Sequence, residues 1–306
     1  MKEMVWGGRL LADRFGKKIP SDATGEAWEI AAHPHGQSTV DGGPLDGTEL
    51  QTLVDQYKEA LVGTRVYAAY GNYFPLLIKF IDANQNLSVQ VHPNDSQAVD
   101  LEGPGASGKT EMWYVLDAKP SAKLVYGFNR DLTEAELKNA LEQGTLESFL
   151  NWVDVYPGDT FYIPAGTLHA IGSGILIAEI QQNSDLTYRV YDYNRLGLDG
   201  KPRQLHVEKA VAVVDRKAPI GHEKADIDQG IISPFFETRR FKVDGSWKLE
   251  VSPERFEILI CVGGCGSIVS EGQTLSVKEG DSFLIPATAG TIRAEGQLTL
   301  LQTHVQ

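Results

Sequence analysis

The chain has 306 residues, of which 42% are hydrophobic and 23% charged, so it can form two domains of ordinary globular composition. Its formal net charge of −13 disfavours nucleic acid or an anionic membrane as a partner, because both bind basic surfaces. No stretch reads as a signal peptide or a membrane span, and we expect the two cysteines, Cys261 and Cys265, to be free thiols. These features predict a cytoplasmic protein.

The first predicted helix lies within the first 70 residues. Thr48 and Gln51 have the spacing of a capping box, and an apolar stripe that begins at Leu50 runs up to Gly63. From Leu76 onwards the pattern changes to short strand-like segments, which read LLIKFI, LSVQVH, MWYVLD and AKLVYGF.

A second capping box, formed by Thr133 and Glu136, opens an amphipathic helix that runs towards Phe149 with a break near Gly144. Strands are predicted again in DTFYIP, GILIAEIQQ and TYRVYDY, followed by a short helix over residues 206–214. The remaining segments, from FEILICV to LTLLQTH, are all strand-like with turns between them.

Many short strands with regular turns are typical of small barrels or sandwiches, so the sequence predicts a mainly β protein with a few helices. We expect a first domain over residues 1–215, a polar linker over residues 216–230 and a second, all-β domain over residues 231–306.

One segment occurs twice. Residues 158–169 read GDTFYIPAGTLH, and residues 280–291 read GDSFLIPATAGT. A shared Gly-Asp turn, a strand and an Ile-Pro-Ala corner indicate two related β units. His169 lies opposite Thr291, so the corner does not need a histidine to fold. We therefore expect the first unit to carry the chemistry and the second to be structural.

Potential metal ligands surround His169 in the first unit. Ser88, Gln90 and His92 alternate with apolar residues, so they share one face of a strand, and Glu111 begins another strand. Two imidazoles, a carboxylate and an amide oxygen suit a borderline cation such as Zn²⁺. Taken singly, residues such as His92 and Glu111 are more often surface loop residues or solvated strand ends than ligands, and Glu111 has a possible counterpart in Glu257.

Six strings together carry a resemblance to a known family: WGGRLL, TGEAWEIAAHPHG, FPLLIKFIDANQNLSVQVHPND, GKTEMWYVL, IPAGTLHAI and QQNSDLTYRVYDYNR. They resemble the type I mannose-6-phosphate isomerases (phosphomannose isomerases) in their short bacterial form, from residue 5 to about residue 210. The C-terminal copy of the repeat fits the second cupin unit of that family. The resemblance implies two cupin jelly-roll barrels, one zinc ion per chain, and interconversion of mannose 6-phosphate and fructose 6-phosphate.

The motifs also imply site residues. Gln90, His92, Glu111 and His169 align with the family's metal ligands, although water could replace Gln90 as the fourth. Arg189 aligns with its active-site arginine.

The residues around this set suggest how a phosphosugar would be held. Arg189 can bind a phosphate or an enediolate through two hydrogen bonds. Lys109, two residues before Glu111, is a second candidate cation, and Ser88 could donate its hydroxyl to the phosphate. Arg195 is a weaker candidate, because a surface ion pair explains it equally well.

The base that removes the carbon-bound proton is left open by the sequence. Glu179 is a carboxylate within an apolar strand, where desolvation is expected to raise its pKa. It could equally form a structural ion pair with Arg189 or Lys109, and Asp185 is the second candidate base.

Two other functions compete with an isomerase. A cupin metal oxidoreductase would favour Fe²⁺ and a histidine-rich ligand set. A non-catalytic cupin could bind a sugar without turnover, although the first copy of the repeat keeps all its potential ligands. The sequence does not indicate an oligomeric state.

Overall fold

The computed structural model describes residues 1–219, 221 and 223–306. Strands make up 41% of the chain and helices 17%, which confirms the prediction of a mainly β fold. The strands are Lys2–Gly8 (β1), Thr24–Ile30 (β2), Ala32–His33 (β3), Gly36–Gln37 (β4), Leu76–Ala83 (β5), Val89–Val91 (β6), Glu111–Ala118 (β7), Lys123–Phe128 (β8), Leu150–Asp154 (β9), Thr160–Ile163 (β10), His169–Ala170 (β11), Ile175–Gln182 (β12), Tyr188–Tyr191 (β13), Ile231–Ile232 (β14), Phe236–Glu250 (β15), Glu257–Ser270 (β16), Gln273–Lys278 (β17), Ser282–Ile285 (β18) and Thr291–Val305 (β19).

The helices are short. They are Leu10–Phe15 (α1), Leu50–Tyr57 (α2), Glu59–Val62 (α3), Thr64–Tyr70 (α4), Asp95–Glu102 (α5), Glu134–Glu142 (α6) and Val207–Val213 (α7), with a 3₁₀ turn at Leu146–Phe149. None of the helices in the described part of the chain is long and apolar enough to span a bilayer.

The capping box predicted at α6 is confirmed. Thr133 accepts a hydrogen bond from the Glu136 backbone N–H, and the Glu136 side chain accepts one from the Thr133 N–H. The helix ends before Gly144, so the predicted break is also present.

The capping box predicted at Thr48 is wrong. The N-cap of α2 is Glu49, with no side-chain cap, because Thr48 belongs to the preceding turn and its N–H donates to the Leu45 carbonyl. The Gln51 side chain instead donates to Asp55 and to a backbone carbonyl. The predicted helix is also interrupted at Lys58, whose φ of 48° lies in the left-handed region.

The contacts divide the chain into two compact units, the first formed by Met1–Ala27 and Lys79–Ala225. Its strands belong to a six-stranded sheet, β1-β2-β5-β12-β7-β10, and a five-stranded sheet, β13-β6-β11-β8-β9. Trp113 and Phe161 of the first sheet pack in one apolar cluster with Leu124 and Tyr126 of the second. The two sheets therefore share a core, as the layers of a β sandwich do.

The second unit comprises Trp28–Ile78 and Asp226–Gln306. Its sheet has the order β14-β15-β19-β16-β17, with β18 also paired to β16. Strands β15 and β19 pair along their whole length, and their inward side chains form a core with Leu259 and Cys261 of β16. Both cysteines are free thiols, as expected, and burial raises the pKa of the Cys261 thiol to about 11.

These units differ from the expected domains at two places. Residues 28–78 belong with the C-terminal residues, because the Thr64 N–H donates to the Pro253 carbonyl and the Phe256 N–H to the Val62 carbonyl. A Cβ on Gly63 would lie only 2.2 Å from the Arg255 nitrogen, so these segments pack backbone to backbone. The first unit also runs to residue 225, inside the predicted linker, of which positions 220 and 222 lie outside the described residues.

The internal repeat has the same strand pairing in both units. Ile163 of β10 lies opposite Glu111 of β7, and Ile285 of β18 lies opposite Glu257 of β16. The preceding turns both place glycine at a left-handed φ, 92° at Gly158 and 89° at position 280. Glu257 is therefore the structural counterpart of Glu111, as the sequence suggested.

The two threonines of the predicted capping boxes provide a test of the fold. We expect Thr133→Ala to lower the free energy of unfolding by about 1 kcal/mol, because α6 loses its N-cap oxygen. The matched variant Thr48→Ala should change it by much less. Chemical denaturation followed by circular dichroism measures both, and equal losses would contradict the capping assignment.

Candidate metal centre

Three neighbouring strands bring the predicted site residues of the five-stranded sheet together. Gln90 of β6 lies opposite His169 of β11 on one side and opposite Arg189 of β13 on the other. Val89 and Val91 point into the apolar core, so Gln90 points the other way. The strand pattern read from the sequence is therefore confirmed, and it places Gln90 beside two other candidates.

His92, Glu111 and His169 form a buried cluster, although Glu111 comes from the opposite sheet. One ligand atom from each lies within 4.8 Å of the others. His92 Nε2 is 3.5 Å from Glu111 Oε2, and His169 Nε2 is 3.4 Å from Glu111 Oε1. The structure thus brings together three of the four predicted metal ligands.

Both imidazoles turn an unprotonated nitrogen towards Glu111. His92 Nδ1 donates to the Leu186 carbonyl at 2.7 Å, and His169 Nδ1 donates to the Thr167 carbonyl at 2.9 Å. Because a carbonyl only accepts, each Nδ1 carries the hydrogen and each Nε2 keeps its lone pair. Burial and the nearby Lys109 charge lower the pKa of His169 to about 4 and the pKa of His92 well below its usual value, so both are neutral at pH 7.

The donor set fits a divalent cation. Glu111 Oε1 is buried and has no hydrogen-bond donor among the described residues, while the His169 lone pair faces it. Two imidazole lone pairs around one carboxylate are stabilised by a positive ion between them, and N and O ligands of this type suit Zn²⁺. The backbone carbonyls on Nδ1 also fix the ring orientation, as is usual at metal sites.

Gln90 lies next to this cluster. Its Nε2 is 3.4 Å from His169 Nε2, and its Oε1 accepts from Ser88 Oγ at 3.3 Å. Here the amide nitrogen, rather than the oxygen, faces the histidine. Gln90 therefore lies beside His169, and a half-turn of its amide would turn the oxygen towards that ring.

Lys109 extends the cluster, as predicted from its position two residues before Glu111. Its Nζ contacts Glu111 Oε2 at 2.5 Å and lies 3.0 Å from His92 Nε2. Burial and the neighbouring Glu179 raise the pKa of Glu111 to about 7, although Lys109 and Lys79 oppose this rise. The structure therefore places an ammonium group directly beside the candidate ligands.

Glu179 is buried in the same cluster, but its expected pKa shift is wrong in direction. Burial alone would raise the pKa, as the sequence suggested, but the charges of Lys109 and Lys79 outweigh it and lower the pKa to about 2. Glu179 Oε2 lies 3.1 Å from Lys79 Nζ, and Oε1 accepts from Trp113 Nε1 at 3.0 Å. The sequence suggested Arg189 or Lys109 as an ion-pair partner of Glu179. Lys109 Nζ lies 4.0 Å from Glu179 Oε1.

Lys79 was not identified as a site residue from the sequence. It is buried on β5, where Glu179 and Glu26 raise its pKa above the ordinary value although burial opposes this. A lysine in the otherwise apolar LLIKFI is a visible signal, because a buried ammonium must find carboxylates in the fold.

Arg189 lies at the edge of the site. Its Nε donates to Ser88 Oγ at 3.0 Å, and its Nη1 donates to the Gln204 carbonyl at 2.9 Å. Burial and the charges of nearby arginines lower its pKa, so the side chain is partly desolvated. Arg189 and Ser88, which the sequence offered separately as contacts for a phosphate, thus lie within hydrogen-bond distance of each other.

The last two residues that the sequence offered for the site are Arg195 and Asp185. Arg195 donates to Asp192, and Arg203 donates to the same carboxylate through two nitrogens. Arg195 therefore forms an ion pair, but a mostly buried one rather than the surface pair considered from the sequence. Asp185, the second candidate base, lies at an exposed position.

Comparison with known proteins places the chain in a family. Residues 1–118 match the catalytic domain of type I phosphomannose isomerase, and residues 227–305 match the cupin domain of mannose-6-phosphate isomerase. The mannose-6-phosphate isomerase ManA of Bacillus subtilis is 40% identical over 314 residues, which cover 99% of this chain and 96% of that protein.

Solved structures agree with these matches. A crystal structure of the mannose 6-phosphate isomerase from Bacillus subtilis has a TM-score of 0.87 and 38% identity, covering 99% of this chain and 96% of that one. A mannose 6-phosphate isomerase crystallised with zinc and yttrium has a TM-score of 0.75 and 21% identity, covering 100% of this chain and 97% of that one.

The fold and the buried histidine–carboxylate cluster define a cupin protein with a candidate metal site. The chain belongs to the type I phosphomannose isomerases, in their short bacterial form. Its activity is that of a mannose-6-phosphate isomerase, EC 5.3.1.8. The resemblance inferred from the six sequence strings is thus confirmed.

Replacement of His169 tests the metal site. We expect His169→Ala to remove the bound metal and to leave a folded protein, because Thr291 shows that the same corner forms without imidazole. Thr291→Ala is the matched control and should keep one metal ion per chain. Elemental analysis and thermal unfolding measure both. Two tightly bound ions per chain in the unaltered protein, or an unfolded His169→Ala variant, would contradict this assignment.

Glu111 makes metal binding depend on pH. With a pKa of about 7 the metal-free carboxyl is mostly protonated at pH 6 and mostly ionised at pH 8, whereas both imidazoles are already neutral. Because a ligand must be deprotonated to bind, we expect about one proton to be released per metal ion at pH 6 and almost none at pH 8. Calorimetry in buffers of different ionisation enthalpy counts these protons. If the number of protons released per metal ion rose with pH, the result would contradict the raised pKa of Glu111.

Proposed function

We propose that the chain converts mannose 6-phosphate to fructose 6-phosphate, and back, with one Zn²⁺ held by His92, Glu111 and His169. Gln90 or water completes the site. The observation that carries this proposal is the buried set of two neutral imidazoles around one carboxylate, in a chain of this family. A related mannose 6-phosphate isomerase was crystallised with zinc, which supports the choice of ion.

The reaction moves a proton between C1 and C2 of the sugar and a second proton between their oxygens. The costly step is removal of a carbon-bound proton, which leaves negative charge on an enediolate. A bound Zn²⁺ would supply Lewis-acid stabilisation of a substrate oxygen. The residues of the chain must then recognise the phosphosugar, hold the charge near the ion and exclude water.

Lys109 is the proposed partner of the reacting oxygens. Its ammonium group is buried beside His92 and Glu111, so it faces any oxygen bound next to these ligands. In this desolvated setting a positive charge stabilises an enediolate more strongly than it would in water. Lys109 can also donate a proton to an oxygen at the same place.

Arg189 and Ser88 are the proposed contacts for the anionic part of the substrate. Arg189 uses two nitrogens on Ser88 and a backbone carbonyl, and the planar guanidinium suits a phosphate or an enediolate. Because the whole chain has a formal net charge of −13, such a local positive group is needed to attract a phosphosugar.

Glu179 keeps two proposed roles, and its contacts support one of them more strongly. A carboxylate with a pKa of about 2 is a weak base for a carbon-bound proton. Its position between Lys79 and Lys109 suits a counter-ion that holds the Lys109 ammonium group in place. Asp185 remains the alternative base.

The two competing functions receive less support. Family membership and the lysine and arginine beside the metal ligands suit a phosphosugar isomerase, whereas an oxidoreductase would not need them. In the second unit the Glu257 carboxylate already accepts from Gln302 and His304, which supports a single metal ion per chain, in the first unit. A cytoplasmic location stays a prediction.

Arg189 gives the direct test of substrate recognition. We expect Arg189→Ala to lower kcat/KM by about 3 kcal/mol, roughly 150-fold, because a partly buried charged hydrogen bond to the substrate is lost. Bound metal should not change. Arg130→Ala, which removes an exposed arginine paired with Glu136, is the control and should stay near the unaltered rate. A coupled assay of fructose 6-phosphate formation measures kcat/KM, and unaltered kinetics for Arg189→Ala would remove it from the site.

A double-variant cycle separates the two roles of Glu179. If Glu179 acts as the counter-ion of Lys109, adding Glu179→Gln to Lys109→Met should lower kcat less than twofold further. If Glu179 is the carbon base, its loss should lower the rate by at least about 100-fold in either background. The same coupled assay at high enzyme concentration distinguishes these outcomes.

A further inference from the structure

The segment that carries Lys109 is held at four successive residues by groups outside it. Lys109 itself donates its N–H to the Pro93 carbonyl at 3.0 Å. The others are Ser107, whose carbonyl accepts from Ser184 Oγ; Gly108, whose N–H donates to Asp95 Oδ1; and Thr110, whose N–H donates to Gln182 Oε1. This loop is therefore hydrogen-bonded residue by residue to the chain around the start of α5 and the end of β12.

Gln182 makes the most complete of these contacts. It is buried at the end of β12, and its backbone N–H donates to the Thr110 carbonyl at 3.1 Å while its Oε1 accepts from the Thr110 N–H at 2.9 Å. It thus binds both backbone polar groups of the residue between Lys109 and Glu111. A side chain that takes over a strand-like pairing in this way fixes the local backbone direction.

Asp95 joins Gln182 to the loop. It is the first residue of α5, directly after the N-cap Asn94, whose capping box fixes the start of the helix. One oxygen, Oδ1, accepts both the Gly108 N–H at 2.7 Å and the Gln182 Nε2–H at 3.0 Å. The carboxylate also lies at the N-terminus of α5, where negative charge is favoured.

Gly108 shows how closely the loop lies against α5. A Cβ at this position would be 2.6 Å from the Asn94 carbonyl carbon and 2.6 Å from the Asp95 nitrogen. The backbone of the loop therefore touches the backbone of the helix start, and Asp95 is the side chain that bonds the two together. No contact in this set involves the ligand atoms of His92, Glu111 or His169.

We propose that Gln182 and Asp95 are positioning residues for catalysis: they hold Thr110 and Gly108 so that the Lys109 ammonium group stays beside the metal ligands. This proposal rests on the proposed catalytic role of Lys109. A lysine side chain has four rotatable bonds, so the place of its Nζ depends on where the backbone starts it. Small displacements of a catalytic group cost large factors in rate.

Gln182→Leu removes both side-chain hydrogen bonds at similar volume. We expect it to lower kcat about tenfold, with KM changed less than twofold and bound metal unchanged. Asp95→Ala should act in the same direction by a smaller factor, because Asp95 lies at an exposed position. Asp95→Asn keeps an oxygen at Oδ1 and should restore most of the rate. Asp100→Ala, which removes an exposed carboxylate of the same helix, is the matched control and should leave kcat unaltered.

A cycle with Lys109→Met shows whether Gln182 acts through Lys109. In the Lys109→Met background, Gln182→Leu should lower the residual kcat less than twofold. The same tenfold loss in both backgrounds, or loss of metal in Gln182→Leu, would overturn the proposal, because Gln182 would then support the fold or the metal ligands instead. A Lys109→Met variant with unaltered kcat would overturn the proposed role of Lys109 itself, which is a separate result.

Discussion

Four ionisable side chains buried beside two neutral imidazoles determine the rest of the site. Lys79, Glu179, Lys109 and Glu111 alternate in charge, and each contacts at least one partner of opposite charge. Removing charges from water is costly, and only close pairing with hydrogen bonds offsets this cost. The fold must therefore align strands β5, β7 and β12 so that positive and negative side chains lie next to each other. The same alignment places Glu111 next to His92 and His169.

The electrostatics of this cluster explain why its carboxyl groups differ. Glu111 and Glu179 are both fully buried, yet burial raises the pKa of Glu111 whereas two lysines lower the pKa of Glu179. The first carboxyl is thus suited to exchange a proton for a metal ion, and the second to stay charged as a partner of lysine. A carboxylate in an apolar strand is consequently not enough to indicate a base, because the sign of its pKa shift depends on residues far away in sequence.

The internal repeat shows how one architecture supports two roles. Both units pair a Gly-Asp strand with a glutamate strand in the same register, and both bury that glutamate. In the first unit the glutamate faces histidine lone pairs and an ammonium group. In the second unit Glu257 is satisfied by an amide and an imidazole, so it acts within a hydrogen-bonded cluster. The chemistry therefore depends on a few side chains around a shared backbone.

The sequence by itself determined what depends on local pattern. Strand alternation placed Gln90 and His92 on one face, and the spacing at Thr133 predicted a helix cap that is present. The repeat, with Thr291 in place of His169, showed that the corner folds without this histidine. Only the tertiary structure decided which groups meet across the two sheets: Lys79 with Glu179, Gln182 with Thr110, and residues 28–78 with the C-terminal unit. These contacts join residues far apart in sequence, and the free energy of a buried charge or of a closely packed glycine depends on such neighbours. The same dependence explains why the pKa of Glu179 is lowered rather than raised, whereas the predicted cap at Thr48 failed for a local reason, because its N–H donates within the preceding turn.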